Sequence, residues 1–81
     1  MNVKQAAQRT VDSCVNAIPL SGELSHPEWA RVRHLRSMNE AIQCGAVTGE
    51  RAHRWLGWLQ AVAYLRGGAT PEQLQRINAE S

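Results

Sequence analysis

Apolar residues recur at spacings of three and four along most of the chain, and no stretch alternates apolar and polar positions long enough to make a strand. The pattern Ala6, Ala7, Val11, Cys14, Val15, Ile18 predicts a first helix from Val3 to about Ala17, ended by Pro19. PLSGEL reads as a loop. SHPE then offers Ser25 as an N-cap, Pro27 in the first turn and Glu28 to complete a capping box, so a second helix is expected from about His26 to Cys44, stopped by Gly45. Thr48 is placed to cap a third helix, with Glu50 in its first turn, running through HRWLGWLQAVAYL to Arg66 and stopping at Gly67-Gly68. TPEQ repeats the start signal with Thr70, Pro71 and Gln73 and opens a short helix to about Ala79. The expected fold is all-α and a single domain over 1–81: a short N-terminal helix, a long antiparallel helical hairpin over 26–44 and 49–66, and a short C-terminal helix.

Within the hairpin, helical spacing puts Val32, Leu35, Met38 and Ile42 on one core-facing stripe. Trp29, Arg33 and Arg36 form a second stripe beside it. Two readings fit: Trp29 covers the core edge while the arginine stems lie over apolar surface, or a ring and two guanidinium forks form a platform for an anionic, planar ligand or an acidic surface. On the third helix Trp55, Trp58, Leu59, Val62 and Leu65 make a broad apolar face, suited to the core or a subunit interface. Gly57 falls on a different stripe, with His53, Gln60 and Tyr64. An interior glycine costs a helix about 1 kcal/mol relative to alanine, so this stripe suits a close helix crossing or a ligand cleft better than open solvent.

Size changes the picture. At 81 residues the chain buries a limited core, and association into a homo-oligomer is expected. The charge is only +2, but the cations are eight arginines and one lysine, a bias toward forked recognition of phosphate or carboxylate that high-GC coding also produces. Six arginines against three acids lie between His26 and Gly68. DNA binding is nevertheless disfavoured, because the third helix is too apolar to serve as a recognition helix. The sequence shows no apolar leader and no membrane-length run, which points to a cytosolic location and to two reduced thiols, Cys14 and Cys44, both on faces compatible with the core. No phosphate loop, HExxH motif or carboxylate pair is present, so the expectation is a non-enzyme with no metal and no cofactor.

The segments EWARVRHLRSMNEAI, VTGERAHRWLGWLQ and TPEQLQRIN resemble a group of small all-helical proteins encoded by bacteriophages and prophages, in which E-[KR]-A-x-RWLG-x-x-Q is followed by T-x-E-x-L-x-x-IN. The resemblance covers about residues 26 to 78 and carries over no catalytic residue. It implies a context of host-defence or host-regulator antagonism by binding and sequestration. A short helix followed by an Arg- and aromatic-rich hairpin is also similar in architecture to phage sponges that trap cyclic oligonucleotide immune signals at subunit interfaces. On that likeness the leading expectation is a counter-defence protein that sequesters a nucleotide signal, with Arg33, Arg36 or Arg54 on phosphates and Trp29 or Tyr64 on bases, and His53 and Gln60 completing the site. The alternatives are a protein-binding inhibitor of a host defence complex or transcription regulator, and a DNA-binding or structural phage subunit. A sponge requires a concave pocket with converging arginines, whereas an inhibitor requires an exposed patch of protein-interface size.

Overall fold

In a computed structural model, which describes Met1 to Ser81, four α-helices account for nearly all regular structure: α1 (Val3–Ala17), α2 (Val32–Gln43), α3 (Gly49–Leu65) and α4 (Pro71–Glu80). The fold is all-α, with no strand. α1 starts where Asn2 caps it through a hydrogen bond accepted from the Gln5 N–H (3.1 Å) and ends ahead of Pro19. α4 opens with the complete capping box of Thr70 and Gln73. α3 stops in a Schellman turn: the Gly68 N–H donates to the Ala63 carbonyl and the Gly67 N–H to that of Tyr64, with Gly67 at φ +73°.

The start of the second helix departs from the sequence expectation. α2 begins at Val32 rather than His26, because Pro27 and Arg31 are extended (ψ 155° and 145°) and the residues between them, Glu28–Ala30, form only a 3₁₀ turn. The expected box residues are engaged elsewhere. Ser25 Oγ donates back to the Gly22 carbonyl (2.6 Å), and the Glu28 carboxylate takes Arg31 and Arg33. The orphan N–H of Val32 is satisfied instead by the Glu23 carboxylate (3.2 Å), nine residues upstream. Thr48 does sit at the N-cap of α3, but its side chain makes no capping bond.

α1 is the centre of the packing. It makes the principal contacts with both α2 and α3, which meet one another more sparsely, so α1, and not an α2–α3 hairpin, organises the core. The reason lies in side-chain size: α1 presents Ala6 and Ala7 and α3 presents Ala52 and Ala63, all buried, alongside Leu35, Ile42, Leu56, Leu59 and Val62. The buried arc of α3 is therefore centred on Leu59, about 100° from Trp58. Trp55 is partly buried at the core margin, while Trp58 and Leu65, on the face expected to suit the core or a subunit interface, lie outside the core of the chain, 47% and 71% exposed. Cys14 is buried as expected, but Cys44, just past α2, is exposed. The Cα envelope measures 33 × 27 × 16 Å, a slab too thin to enclose all of α3.

The glycine in close contact is Gly68 and not Gly57. A Cβ on Gly68 would lie 2.7 Å from Cys14 Sγ and 3.1 Å from both Cys14 Cα and Ile18 Cδ1, whereas one on Gly57 would meet nothing within 4 Å.

Candidate functional site

The seven residues singled out in the sequence do not converge on one site: Arg33 and Arg36 share one hollow, Trp29 and Arg54 meet around Trp58, and His53, Gln60 and Tyr64 are apart from both. Arg33 is held by Glu28 through three hydrogen bonds of 3.0–3.1 Å, which raise its already high pKa and lower that of the carboxylate. Its fork is thus occupied within the chain. Arg36 adjoins Arg33 along a hollow of about 260 Å³ that Leu20, Glu23, Leu24 and Arg31 also line, and it borders a second hollow with Asn39, Glu40 and the α1 residues Gln8 and Asp12. Gln60 is engaged inside the fold: its amide donates to Asn78 Oδ1 (2.7 Å) and Thr10 Oγ1 (3.3 Å) and accepts from Asn78 Nδ2 (3.2 Å), tying α3 to α4 and α1. Tyr64 borders an open hollow of about 650 Å³ with Ser13, Asn16, Gly67 and Thr70. His53 borders a separate one of about 210 Å³ with Lys4, Val47 and Thr48.

What the fold does assemble is an aromatic groove between α2 and α3. His34 and Met38, one turn apart on α2, face Arg54, Trp55 and Trp58 of α3 around a volume of about 380 Å³. Trp29, carried by the 3₁₀ turn before α2, meets Trp58 edge to face at a centroid separation of 5.8 Å and an interplanar angle of 67°. Both indoles remain 47% exposed, so the pair is held in register without being sealed from solvent. Arg51 lies over the Trp55 ring at 5.5 Å. Arg54 is largely exposed and reaches its one acidic neighbour, Glu50, only at 4.0 Å, which leaves the guanidinium available at the rim.

Trp29 is positioned from behind by an ion pair. Arg66, at the end of α3, donates to both oxygens of Glu23 (2.8 and 3.3 Å) and to the Ala30 carbonyl (2.6 Å), the residue next to Trp29. The two side chains are 8% and 16% exposed. The hydrogen bond from Arg66 holds the Glu23 carboxyl below the usual carboxylate range, against the opposing effect of its partial burial. One carboxylate thus ties the loop to α3 and caps α2.

The sequence places Met38 on the core stripe and Trp55 on a face suited to the core or a subunit interface; both are partly buried against the core and also line this groove, for which His34 gave no signal. The signal that locates them is the angular position of the alanines: once Ala52 and Ala63 join Leu59 at the centre of the α3 face, Trp55 and Trp58 fall together on the flank toward α2. Chemically the groove offers indole faces, a thioether, an imidazole and an arginine fork, a set suited to recognition. The Cys14 thiol is pushed up to about 11 by burial and stays protonated at neutral pH, a poor nucleophile. No group of three or more His, Cys, Asp or Glu side chains is placed to hold a metal ion. No helix is long and apolar enough to cross a membrane.

Fold and surface together define a four-helix, all-α protein with an open tryptophan groove. No protein-family model matches the chain, and neither the curated proteins nor the solved structures yield a match to it.

Proposed function

We propose that this is a non-catalytic binding protein that intercepts a host protein through the Trp29–Trp58 groove, acting in the phage counter-defence context that the resemblance implies. The observation that carries the reading is the exposed edge-to-face indole pair beside an available arginine. Tryptophan and arginine are the residues most enriched among interface hot spots, and methionine adapts to irregular apolar shapes. Trp58 and Trp55 would accept an apolar projection from the partner, and Arg54 and His34 would face carboxylates at its edge.

A second reading keeps the nucleotide signal as ligand. It is favoured by the groove volume of about 380 Å³, which falls in the range of small-ligand sites, and by indole faces adjoining Arg54. It is weakened by Arg33, whose fork is already taken by Glu28.

The deciding experiment combines two arms. In the first, wild-type protein and Trp58→Ala are used to capture proteins from host lysate, and the retained protein is purified and its affinity measured. The expected result is a single host protein whose Kd weakens about 30-fold or more in Trp58→Ala. In the second arm, thermal melts are recorded with cyclic di- and trinucleotides. Ligand at a hundred times its Kd adds about 2.7 kcal/mol, a shift of more than about ten degrees for a domain of this size. Such a shift, abolished by Arg54→Ala, would replace the protein-binding reading with sequestration of a nucleotide.

A further inference from the structure

The segment between α1 and α2 carries the two most exposed large apolar side chains of the protein, Leu20 and Leu24, at 85% and 83%. They stand on either side of a tight turn in which Gly22 is left-handed, at φ +83°. The turn is firmly held. Ser25 donates twice to the Gly22 carbonyl, from its N–H (3.1 Å) and its hydroxyl (2.6 Å), the His26 N–H donates to the Glu23 carbonyl (3.1 Å), and Arg31 Nη2 reaches the Leu24 carbonyl at 3.5 Å. The Glu23 carboxylate is turned inward to Arg66 and the Val32 N–H. These bonds order a turn whose leucines bury almost nothing against their own chain.

Beside the leucines is a hollow of about 260 Å³ bordered by Val32, Arg31, Arg33 and Arg36. Its charge is not balanced. Arg31 and Arg33 share one carboxylate, Glu28, while Glu23 is matched by Arg66. Arg36 forms no ion pair, even with Asp12 and Glu40, which border it on its other side. The remaining five cations of the chain equal its remaining five acids in number, so the formal net charge of +2 belongs to this face.

We infer that this tip, Leu20 and Leu24 with Arg33 and Arg36 beside them, is a contact for an anionic lipid leaflet, in which the leucines enter the acyl boundary and the guanidinium groups meet the phosphates. The tip shares no lining residue with the tryptophan groove, and its role is independent of what that groove binds.

Three features select a leaflet over a folded partner or a single soluble molecule. The first is projection. A soluble amphiphile seated in the hollow would leave most of both leucines wet, and a folded partner would need two matching pockets, whereas acyl chains close around any projecting shape. The second is the backbone. A segment that enters an apolar medium has to satisfy its polar groups internally, and here the carbonyls of Gly22, Glu23 and Leu24 are all taken, the Glu23 side chain is paired and Pro19 has no N–H. A protein interface makes no such demand, because it supplies hydrogen-bond partners of its own. The third is charge: an arginine belt beside an apolar tip matches a surface of phosphates, which the guanidinium fork is shaped to bind. No helix is long and apolar enough to cross a membrane, so the contact is with the leaflet surface. Two leucines and a few arginines give a reversible attachment.

The test is co-sedimentation of the full chain with extruded vesicles. Vesicles of phosphatidylglycerol and phosphatidylcholine are expected to bind it at least about tenfold more tightly than phosphatidylcholine alone, with the difference shrinking as salt is raised. Leu20→Gln and Leu24→Gln should each weaken binding at least about tenfold, and Arg36→Gln about fivefold. All three side chains are exposed, so helicity and melting temperature should be retained. Leu65→Gln removes another leucine, 71% exposed at the end of α3, and should leave binding unchanged. A chain that ignores the anionic vesicles overturns the inference. So does binding that both tip variants leave intact, or that Leu65→Gln weakens as much, since either would mean adhesion without a defined site. Equally tight binding of dihexanoyl phosphatidylglycerol below its micelle concentration would replace the leaflet by a soluble ligand. Loss in Leu24→Gln of a host protein captured by the wild type, with no vesicle binding in either, would overturn the inference and give the tip to that protein.

Discussion

The two flanks of α3 are built in opposite ways. On the flank toward α4 a polar side chain, Gln60, is drawn inward and every hydrogen-bonding atom of its amide is used. On the flank toward α2 an apolar side chain, Trp58, is positioned by an aromatic neighbour and then left half in water. The lesson is that the chemical type of a residue does not say which side of the molecule is functional. The polar flank is internally complete, and a ligand could recruit Gln60 only by breaking bonds it already makes. The tryptophan flank is incomplete, and covering it releases water from apolar surface with little rearrangement.

This contrast is most strongly tested where the tryptophan flank is anchored. Arg66→Met removes the partner of a largely buried carboxylate and the donor to Ala30, and is expected to destabilise the fold by about 3–5 kcal/mol. In a melt that is a fall of more than about ten degrees. The sign with pH follows from the depressed Glu23 carboxyl. A carboxylate whose folded value lies below its unfolded one contributes fully above the unfolded value, near about 4.3, and loses that contribution as pH falls through the folded value. The wild type's advantage over Arg66→Met should therefore be complete at neutral pH and shrink below about pH 4. A difference that persists undiminished in acid would remove the ion pair as its source.

The next effect belongs to the closed side. Gly68→Ala would drive a methyl group against Cys14, with Sγ at 2.7 Å and Cα at 3.1 Å, and against Ile18 Cδ1 at 3.1 Å, and is expected to cost about 1–3 kcal/mol in chemical denaturation. Equal stability would mean that α1 and the end of α3 are not pressed together.

Much of this architecture was legible in the sequence because the signals are local. Thr70, Pro71 and Gln73 cap their own helix, and Pro19 and Gly67 end theirs within a turn of where they stand. The start of α2 was not legible, because its cap comes from Glu23, whose carboxylate is oriented by Arg66, 43 residues further on. Ser25 and Glu28 have the spacing of a capping box, yet both find better partners nearby. The α3 face was misjudged for a different reason. Counting hydrophobicity favours tryptophan over alanine, but close packing against Ala6 and Ala7 of α1 has room for Ala52 and Ala63, and the indoles are displaced to the margin. Of the groove, Trp29, Trp58 and Arg54 stood out from the start. His34 and Met38 could be joined to them only once the displacement was known.

On the polar flank, Gln60→Leu leaves the Asn78 amide and the Thr10 hydroxyl short of a partner, with an expected loss of about 1–2 kcal/mol in urea unfolding and no change in partner capture. Loss of capture with stability intact would move Gln60 from scaffold to site and blur the distinction between the flanks.

The smallest effect is also the sharpest in sign. Gly57→Ala meets no atom within 4 Å and replaces the most flexible residue by the best helix former, so it should stabilise the lone chain by about 0.4–1 kcal/mol. The same substitution eleven residues later, at Gly68, destabilises. Opposite signs at the two glycines would establish that α3 is tightly packed at its end and uncovered at its middle, and that the middle glycine is not kept for the stability of a lone chain. A destabilised Gly57→Ala chain would instead mean that some part of the same chain already lies against that face.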